Sequence, residues 1–390
     1  NMGAALAYVL IFAALIGIDS REGRSPYSAD FFIEKRWSGW RRIAEWGGRT
    51  TLEREPQALP WSVQIPAIVG IIVIIVFLIG GLHSSFNVKP PTPAAAAAAV
   101  KPLALASSQP VTKTYDPRLP PLIGTGNSVN VNLVVSDKAV SIANGVRYEA
   151  WTYNGTVPGP ILHVRQGQTV NVTLTNHGNM DHSIDFHAAQ VAPDKDFVDI
   201  APGETLHFSF VAEVPGVFVY HCETAPILLH MANGMYGAIV VSPKTPLPPA
   251  AESYVIVQSE WYTRQISGNL MGQNYARMQA EAPDEVVFNG IAFQYDRHPL
   301  PATVGKRVRI YFVDAGPSLW SSFHVIGSIL HTVYPDGDLN QTMTDVSAYT
   351  MGPGQGAIFD VIFQRPGKYA FVDHDFAHLM IGAKGVFDVH

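Results

Sequence analysis

The chain has 390 residues, 47% of them apolar and 15% charged, with 29 prolines, 33 glycines, one cysteine and a formal net charge of −6. At roughly 100 to 200 residues per domain that length allows two or three domains, and the Pro/Gly-rich balance suits a loop-rich β protein with a more apolar part attached. Negative charge without a long basic run argues against nucleic acid as a partner, and a single cysteine excludes an intrachain disulfide, a zinc ribbon and a covalently attached haem, which needs C-x-x-C-H.

The first 83 residues differ from the rest. Met2–Ile18 is an unbroken apolar stretch of 17 residues and Ile65–Leu82 another of 18 without a charge. A bilayer core of ~30 Å takes about 20 apolar helical residues, from about 17 upward, so both are expected to be transmembrane helices. A buried helix or an uncleaved signal core is the alternative for the first, which lacks the basic start of a signal peptide. Its abrupt start at Asn1 is compatible with further residues before it. Between the stretches lie Arg21, Arg24, Lys35, Arg36, Arg41, Arg42, Arg49 and Arg54, which by the positive-inside rule puts this loop in the cytoplasm. Within it, "DFFIEKRWSGWRRIAEW" spaces Phe32, Ile33, Trp37, Trp40, Ile43 and Trp46 helically among cations. Such a pattern fits a helix lying in the headgroup layer or an amphipathic helix docked on protein.

Residues 84–113 are Pro/Ala-rich, with "VKPPTPAAAAAAVKPLALASSQP", a composition that cannot bury a core and reads as a spacer. With residues 1–83 as a two-helix membrane region, the body from 114 onward is expected on the periplasmic side of a bacterial inner membrane. There the pattern turns to short strands: "VNVNLVVSD", "TVNVTLTNH", "TLHFSFVAE", "GVFVYHC" and "GAIVVSP" before the Pro-rich junction 245–250, and "SYVIVQSEW", "RVRIYFVDAG", "AIFDVIFQ", "KYAFVDH" and "GVFDVH" after it. This predicts an all-β body of two β-sandwiches, 114–246 and 247–390. The halves also echo each other: "GETLHFSFVAEVPGVFVYHC" and "GQGAIFDVIFQRPGKYAFVDH" both run turn, strand, Pro-Gly, aromatic strand and histidine. An internal repeat of that kind means a duplicated domain.

The one cysteine sits at the end of the repeated strand, in "HCETAPILLHMANGM". Cys222, His230 after seven residues and Met235 four residues further on supply a thiolate, an imidazole and a weak thioether. With one more imidazole, for which "HSIDFH" offers His182 and His187, this is the ligand set of a blue-copper electron-transfer site. A buried apolar cysteine is the plainer alternative for a lone sulfhydryl.

From about Val129 to His390 the chain resembles the copper-containing nitrite reductases, homotrimers of two-cupredoxin (Greek-key β-sandwich) subunits, in "DHSIDFH", "YHCETAPILLHMANGMYGAIVV", "SSFHVIGS" and "FVDHDFAHLMIGAKG". The resemblance implies two coppers per subunit. His182, Cys222, His230 and Met235 would hold type 1 copper, and His187, His221 and, from the neighbouring subunit, His374 would hold catalytic type 2 copper. It further implies Asp185 and His324 as proton donors and Ile326 as the apolar cap of the substrate pocket. The reaction implied is the denitrification step that turns nitrite, one electron and two protons into nitric oxide and water.

Each assignment has a competitor in the sequence. Asp185 could merely orient a ligand imidazole, His331 rivals His324, and His378 rivals His374. Gln355 stands near "MGPGQGAIF", where the family often carries a small or hydroxyl residue close to the second relay histidine. A laccase-type oxidase is disfavoured, because the chain has no H-x-H pair and Glu223 follows the cysteine. A tethered cupredoxin electron carrier would need only His182, Cys222, His230 and Met235. The implied donor is a periplasmic cupredoxin or c-type cytochrome, necessarily a separate polypeptide if haem is involved, and the membrane lipid is a further partner.

Overall fold

The structure, a computed structural model, describes residues 114–390. The two apolar stretches, the basic loop and the spacer expected over 1–113 lie outside the described residues. Among those described, no helix is long and apolar enough to cross a membrane.

The first half contains β1 (Ser128–Ala143), β2 (Val146–Tyr153), β3 (Leu162–Arg165), β4 (Thr169–Asn176), β5 (Asp185–Phe186), β6 (Thr205–Val211), β7 (Gly216–His221) and β8 (Tyr236–Ser242). The second continues with β9 (Glu252–Trp261), β10 (Thr263–Ser267), β11 (Leu270–Gln273), β12 (Glu285–Phe288), β13 (Leu300–Ala302), β14 (Arg307–Gly316) and β15 (Ser321–Val325). It ends with β16 (Leu330–Pro335), β17 (Met343–Val346), β18 (Ala348–Met351), β19 (Gly356–Ile362), β20 (Gly367–Asp373) and β21 (Lys384–Val389). Short helices interrupt them: α1 (Pro193–Asp196), α2 (Ile227–Ala232), α3 (Tyr275–Gln279), α4 (Gln294–Arg297) and α5 (Phe376–Met380).

The expected repeat is visible in the pairing. β1 lies parallel to β4, which pairs antiparallel with β6; β9 lies parallel to β14, which pairs antiparallel with β19. In the opposite sheets β5–β7–β8–β3 is matched by β15–β20–β21–β13, with the same strand senses. Each half is therefore a two-sheet sandwich. The chain crosses between sheets at the Pro-Gly turns 215–216 and 366–367, where the echo in the sequence falls.

Period-2 burial explains the packing. Phe218 and Tyr220 of β7 face the core of the first sandwich, while Val217 and Val219 face a third apolar cluster shared with the second half. On β9, Tyr254 and Ile256 turn into the second sandwich, and Val255 and Val257 into the shared cluster. Strands buried on both faces read as continuous apolar runs rather than alternating ones, as "VFVY" and "YVIV" do. The junction 245–250 falls between β8 and β9. One segment crosses the expected boundary: β10 and β11, within 247–390, extend the first sandwich's sheet, with β11 parallel to β2.

Candidate metal centres

Two groups of ligand-type side chains converge in the first sandwich. His182, Cys222 and His230 form a fully buried group, and Asp185, His187 and His221 a more open one; within each, the ligand atoms lie within 4.8 Å of one another.

The buried group is assembled by two pinned loops. Cys222 follows β7, and its N–H donates to the Met235 carbonyl at 3.0 Å, closing the loop that contains α2. His230 lies in the last turn of that short helix. His182 comes from the loop after β4, where the buried Asn176 amide donates to the carbonyls of Met180 (2.8 Å) and Ile200 (2.9 Å) and its Oδ1 accepts the Gly178 N–H (2.8 Å). The two Nδ1 atoms stand 3.2 Å apart, and Cys222 Sγ is 3.3 Å from that of His230 and 3.9 Å from that of His182. Burial, and then the nearby His230, pulls His182 down to about 4, and burial lowers His230 too. Both imidazoles are thus held neutral, the form that ligates. Burial pushes the Cys222 thiol up, partly offset by hydrogen bonds from Thr224 and Ser183; a coordinating metal ion deprotonates such a thiol outright. Three lone-pair atoms facing one point in a dry site fit a metal ion. Met235 is fully buried in the same apolar cluster as Cys222.

Three features here have no signal in the spacing of ligand residues. The Trp151 ring lies 5.5 Å from His182 and 4.8 Å from His230, centroid to centroid. The imidazole Nε2 atoms are buried without hydrogen-bond partners among the described residues, so aromatic packing orients rings that a carboxylate or carbonyl usually holds. Trp151 also lines a half-open cavity of about 660 Å³, with Asp137, Lys138, Glu149 and Arg264. Finally, the Ser183 N–H donates to Cys222 Sγ at 3.4 Å, while Thr224 Oγ1 donates to Asp199 Oδ1 at 2.6 Å and lies 3.0 Å from Ser183 Oγ.

In the open group the Nε2 atoms of His187 and His221 are 3.0 Å apart, with Asp185 Oδ2 at 4.0 and 3.8 Å. His221 Nδ1 donates to the Cys222 carbonyl at 3.0 Å, which fixes the tautomer and leaves the Nε2 lone pair facing His187. The His187 ring is hydrogen-bonded to the Gly354 backbone; burial and then His221 lower its pKa, against Asp185 and that bond. Gly354 sits at φ +85°, and a Cβ there would meet His187 Cε1 at 3.1 Å. Two imidazole nitrogens and a carboxylate around one point again fit a cation.

The second half presents the remaining expected residues. On β15, paired with β18 and β20, His324 faces Ala348, and its Nδ1 donates to the Ser347 carbonyl at 2.5 Å. Ile326, two residues on, is 47% exposed. His374 is exposed just after β20; its ring packs edge-on to His324 (5.4 Å) and stacks on Phe376 (4.8 Å). It does not join the Asp185–His187–His221 group within one chain.

The rivals are engaged elsewhere. His331 Nδ1 accepts the Ile362 N–H at 3.2 Å, and His378 Nδ1 donates to Asp373 Oδ2 at 2.7 Å. Burial opposes charge on His378, but Asp373 outweighs it and raises its pKa, while donors including His378 hold buried Asp373 below the usual carboxylate range. Gln355, the departure from the family's pattern, accepts the Gly352 N–H at 2.8 Å and braces its own loop.

Comparison with known proteins agrees with this geometry. A multicopper oxidase family model matches residues 134–246. The copper-containing nitrite reductase of Neisseria meningitidis serogroup B is 38% identical over 271 residues, covering 67% of this chain and 69% of that protein. Among solved structures, copper nitrite reductase from Nitrosomonas europaea is 40% identical with a TM-score of 0.64, over 67% of this chain and 94% of that one. The enzyme from Thermus scotoductus is 30% identical with a TM-score of 0.63, over 67% and 62%. With its all-β, cupredoxin-like body and relatives at that identity across two-thirds of both chains, the protein belongs to the family of copper-containing nitrite reductases.

Proposed function

We propose that the protein is a membrane-anchored copper nitrite reductase, working as a homotrimer on the periplasmic side of a bacterial inner membrane. The observation that carries the reading is the succession His221–Cys222: one residue belongs to the open imidazole group and the next to the buried thiolate group. In this reading His182, Cys222 and His230 would hold type 1 copper, with Met235 supplying a weak thioether. His187, His221 and a neighbouring subunit's His374 hold type 2 copper. When bound, the first copper exchanges one electron and the second offers an open Lewis-acidic position to a small anion.

The chain's own residues do the rest. The covalent link between Cys222 and His221 shortens the path for the electron, which comes from a periplasmic cupredoxin or c-type cytochrome. Asp185 gives a proton to a nitrite oxygen, a role supported by its distance of at most 4.0 Å from both imidazole Nε2 atoms of the open group. His324, its Nδ1 proton committed to Ser347, takes and hands over the second proton at Nε2. Ile326 keeps one wall of the pocket apolar. Nitrite, one electron and two protons become nitric oxide and water. Residues 1–83 anchor the assembly to lipid, and 84–113 space the catalytic body from it.

An EPR spectrum of the copper-loaded protein, with and without nitrite, tests the reading. Two Cu(II) signals are expected, of which the one with the larger hyperfine splitting changes on adding nitrite. A single narrow-split signal indifferent to nitrite would leave a tethered electron carrier.

A further inference from the structure

Two histidines four residues apart follow β20, one exposed and one turned inward. We infer that His378 is a positioning residue for His374: through Asp373 it fixes the turn that presents His374 to a neighbouring subunit, an inference resting on the metal reading of His374 above.

The Asp373 carboxylate is fully buried and collects four donors. They are the His378 Nδ1–H (2.7 Å), the Gln258 amide (2.9 Å), the Ser322 N–H (3.0 Å) and the Asp375 N–H (3.1 Å). Ser321 Oγ donates to Gln258 Oε1 at 2.8 Å, which turns the amide nitrogen toward Asp373. Four donors use the four lone-pair sites of a carboxylate. His374 is thereby clamped on both sides: the preceding side chain and the following N–H meet at Asp373, and its own N–H donates to the Ser322 carbonyl at 2.7 Å.

His378 supplies the tie that comes back from beyond the turn. It sits on α5, five residues long, none of them fully buried. Apolar packing thus does little to hold that helix, and its N-cap bond, Ala377 N–H to Asp375 Oδ1 at 2.9 Å, is exposed. Without the His378–Asp373 contact the carboxylate lacks one donor and α5 loses its side-chain tie to Asp373, which loosens Phe376, on which the His374 ring stacks. A ligand whose supporting partner is lost typically loses about 10- to 100-fold in metal affinity.

The test compares type 2 copper affinity in copper titrations of the assembled protein, read from the EPR signal of larger splitting, with the type 1 absorption band as internal reference. Four variants are needed: His378→Ala, His378→Asn, which keeps a donor near the Nδ1 position, His378→Gln, which moves it outward, and His374→Ala. His378→Ala is expected to weaken type 2 binding about 10- to 100-fold with the type 1 band intact, His378→Asn to restore most of it and His378→Gln to restore little. Wild-type affinity in His378→Ala overturns the inference; if that variant does not fold, equal affinities in the Asn and Gln variants overturn it. Full type 2 binding in His374→Ala instead overturns the metal reading on which the inference rests.

Discussion

His221 and Cys222 are successive residues at the end of a β-strand, where side chains alternate between faces. That alternation sends the imidazole to one group and the sulfur to the other without a bend in the chain. The environments then diverge: Cys222 is fully buried, whereas Asp185 and His187 keep part of their side chains in solvent, about 23% and 35%. A redox site gains from exclusion of water, while a catalytic one needs an opening for substrate and protons. Asp185 pairs with His221 across β5 and β7, so its carboxylate stands over the open group by strand register alone. Replacing it by Asn keeps the shape and removes the proton donor of the proposed reaction. Asp185→Asn is therefore expected to lower kcat by about 10²- to 10⁴-fold while the type 2 EPR signal keeps its intensity, a combination that steady-state kinetics and spectroscopy read together. Loss of the signal would make Asp185 an orienting residue instead.

At the level of strands and loops, the two halves meet where β19 crosses β7. A Cβ on Gly356 would lie 2.1 Å from the Val217 carbonyl oxygen, with backbone rather than a flexible side chain in the way. Gly356→Ala must push β7, the strand that ends in His221, and overpacking of this kind costs about 1–3 kcal/mol; thermal denaturation of the variant measures it. Much of this level was legible in the sequence. Strand repeats, the Pro-Gly crossovers and the His-Cys-His-Met order are local signals, so the duplicated topology and the buried group followed from them. Trp151, Ser183, Thr224 and Asp199 were not legible, because they reach Cys222 and the imidazoles only through pairings between distant strands and loops. The choice of His374 over His378 followed from its place straight after the aromatic strand, but the bond from His378 to the buried Asp373 had no sequence signal. The bond that Gln355 makes was not legible either: its side chain accepts from an amide three residues back.

On the scale of the whole body, the apolar cluster that includes Val217, Val219, Val240, Val255, Val257 and Val313 belongs to neither sandwich alone, so the two are joined through a common core. Stability should therefore respond as one unit to a partly buried charge beside it, such as Glu285 on β12, two residues before Val287 of the cluster. Burial, then Asp284, pushes the Glu285 carboxyl up from 4.5 to about 8, against Arg297. The folded protein keeps that proton where the unfolded chain has released it. The stabilisation is complete below about 4.5 and is lost as pH rises toward 8. Melting temperatures measured across that window should fall for the wild type and fall less for Glu285→Gln. A parallel decline in both would assign the slope to other groups. The β10–β11 hairpin has a different consequence. It pairs with β2 and ends the first sandwich's sheet with residues from the second half. A fragment stopping at 246 would leave the Arg147–Tyr148 end of β2 unpaired, an opening for strand-on-strand association. The duplicated halves have thus ceased to be separable modules: a hairpin from the second half forms the border of the first half's sheet.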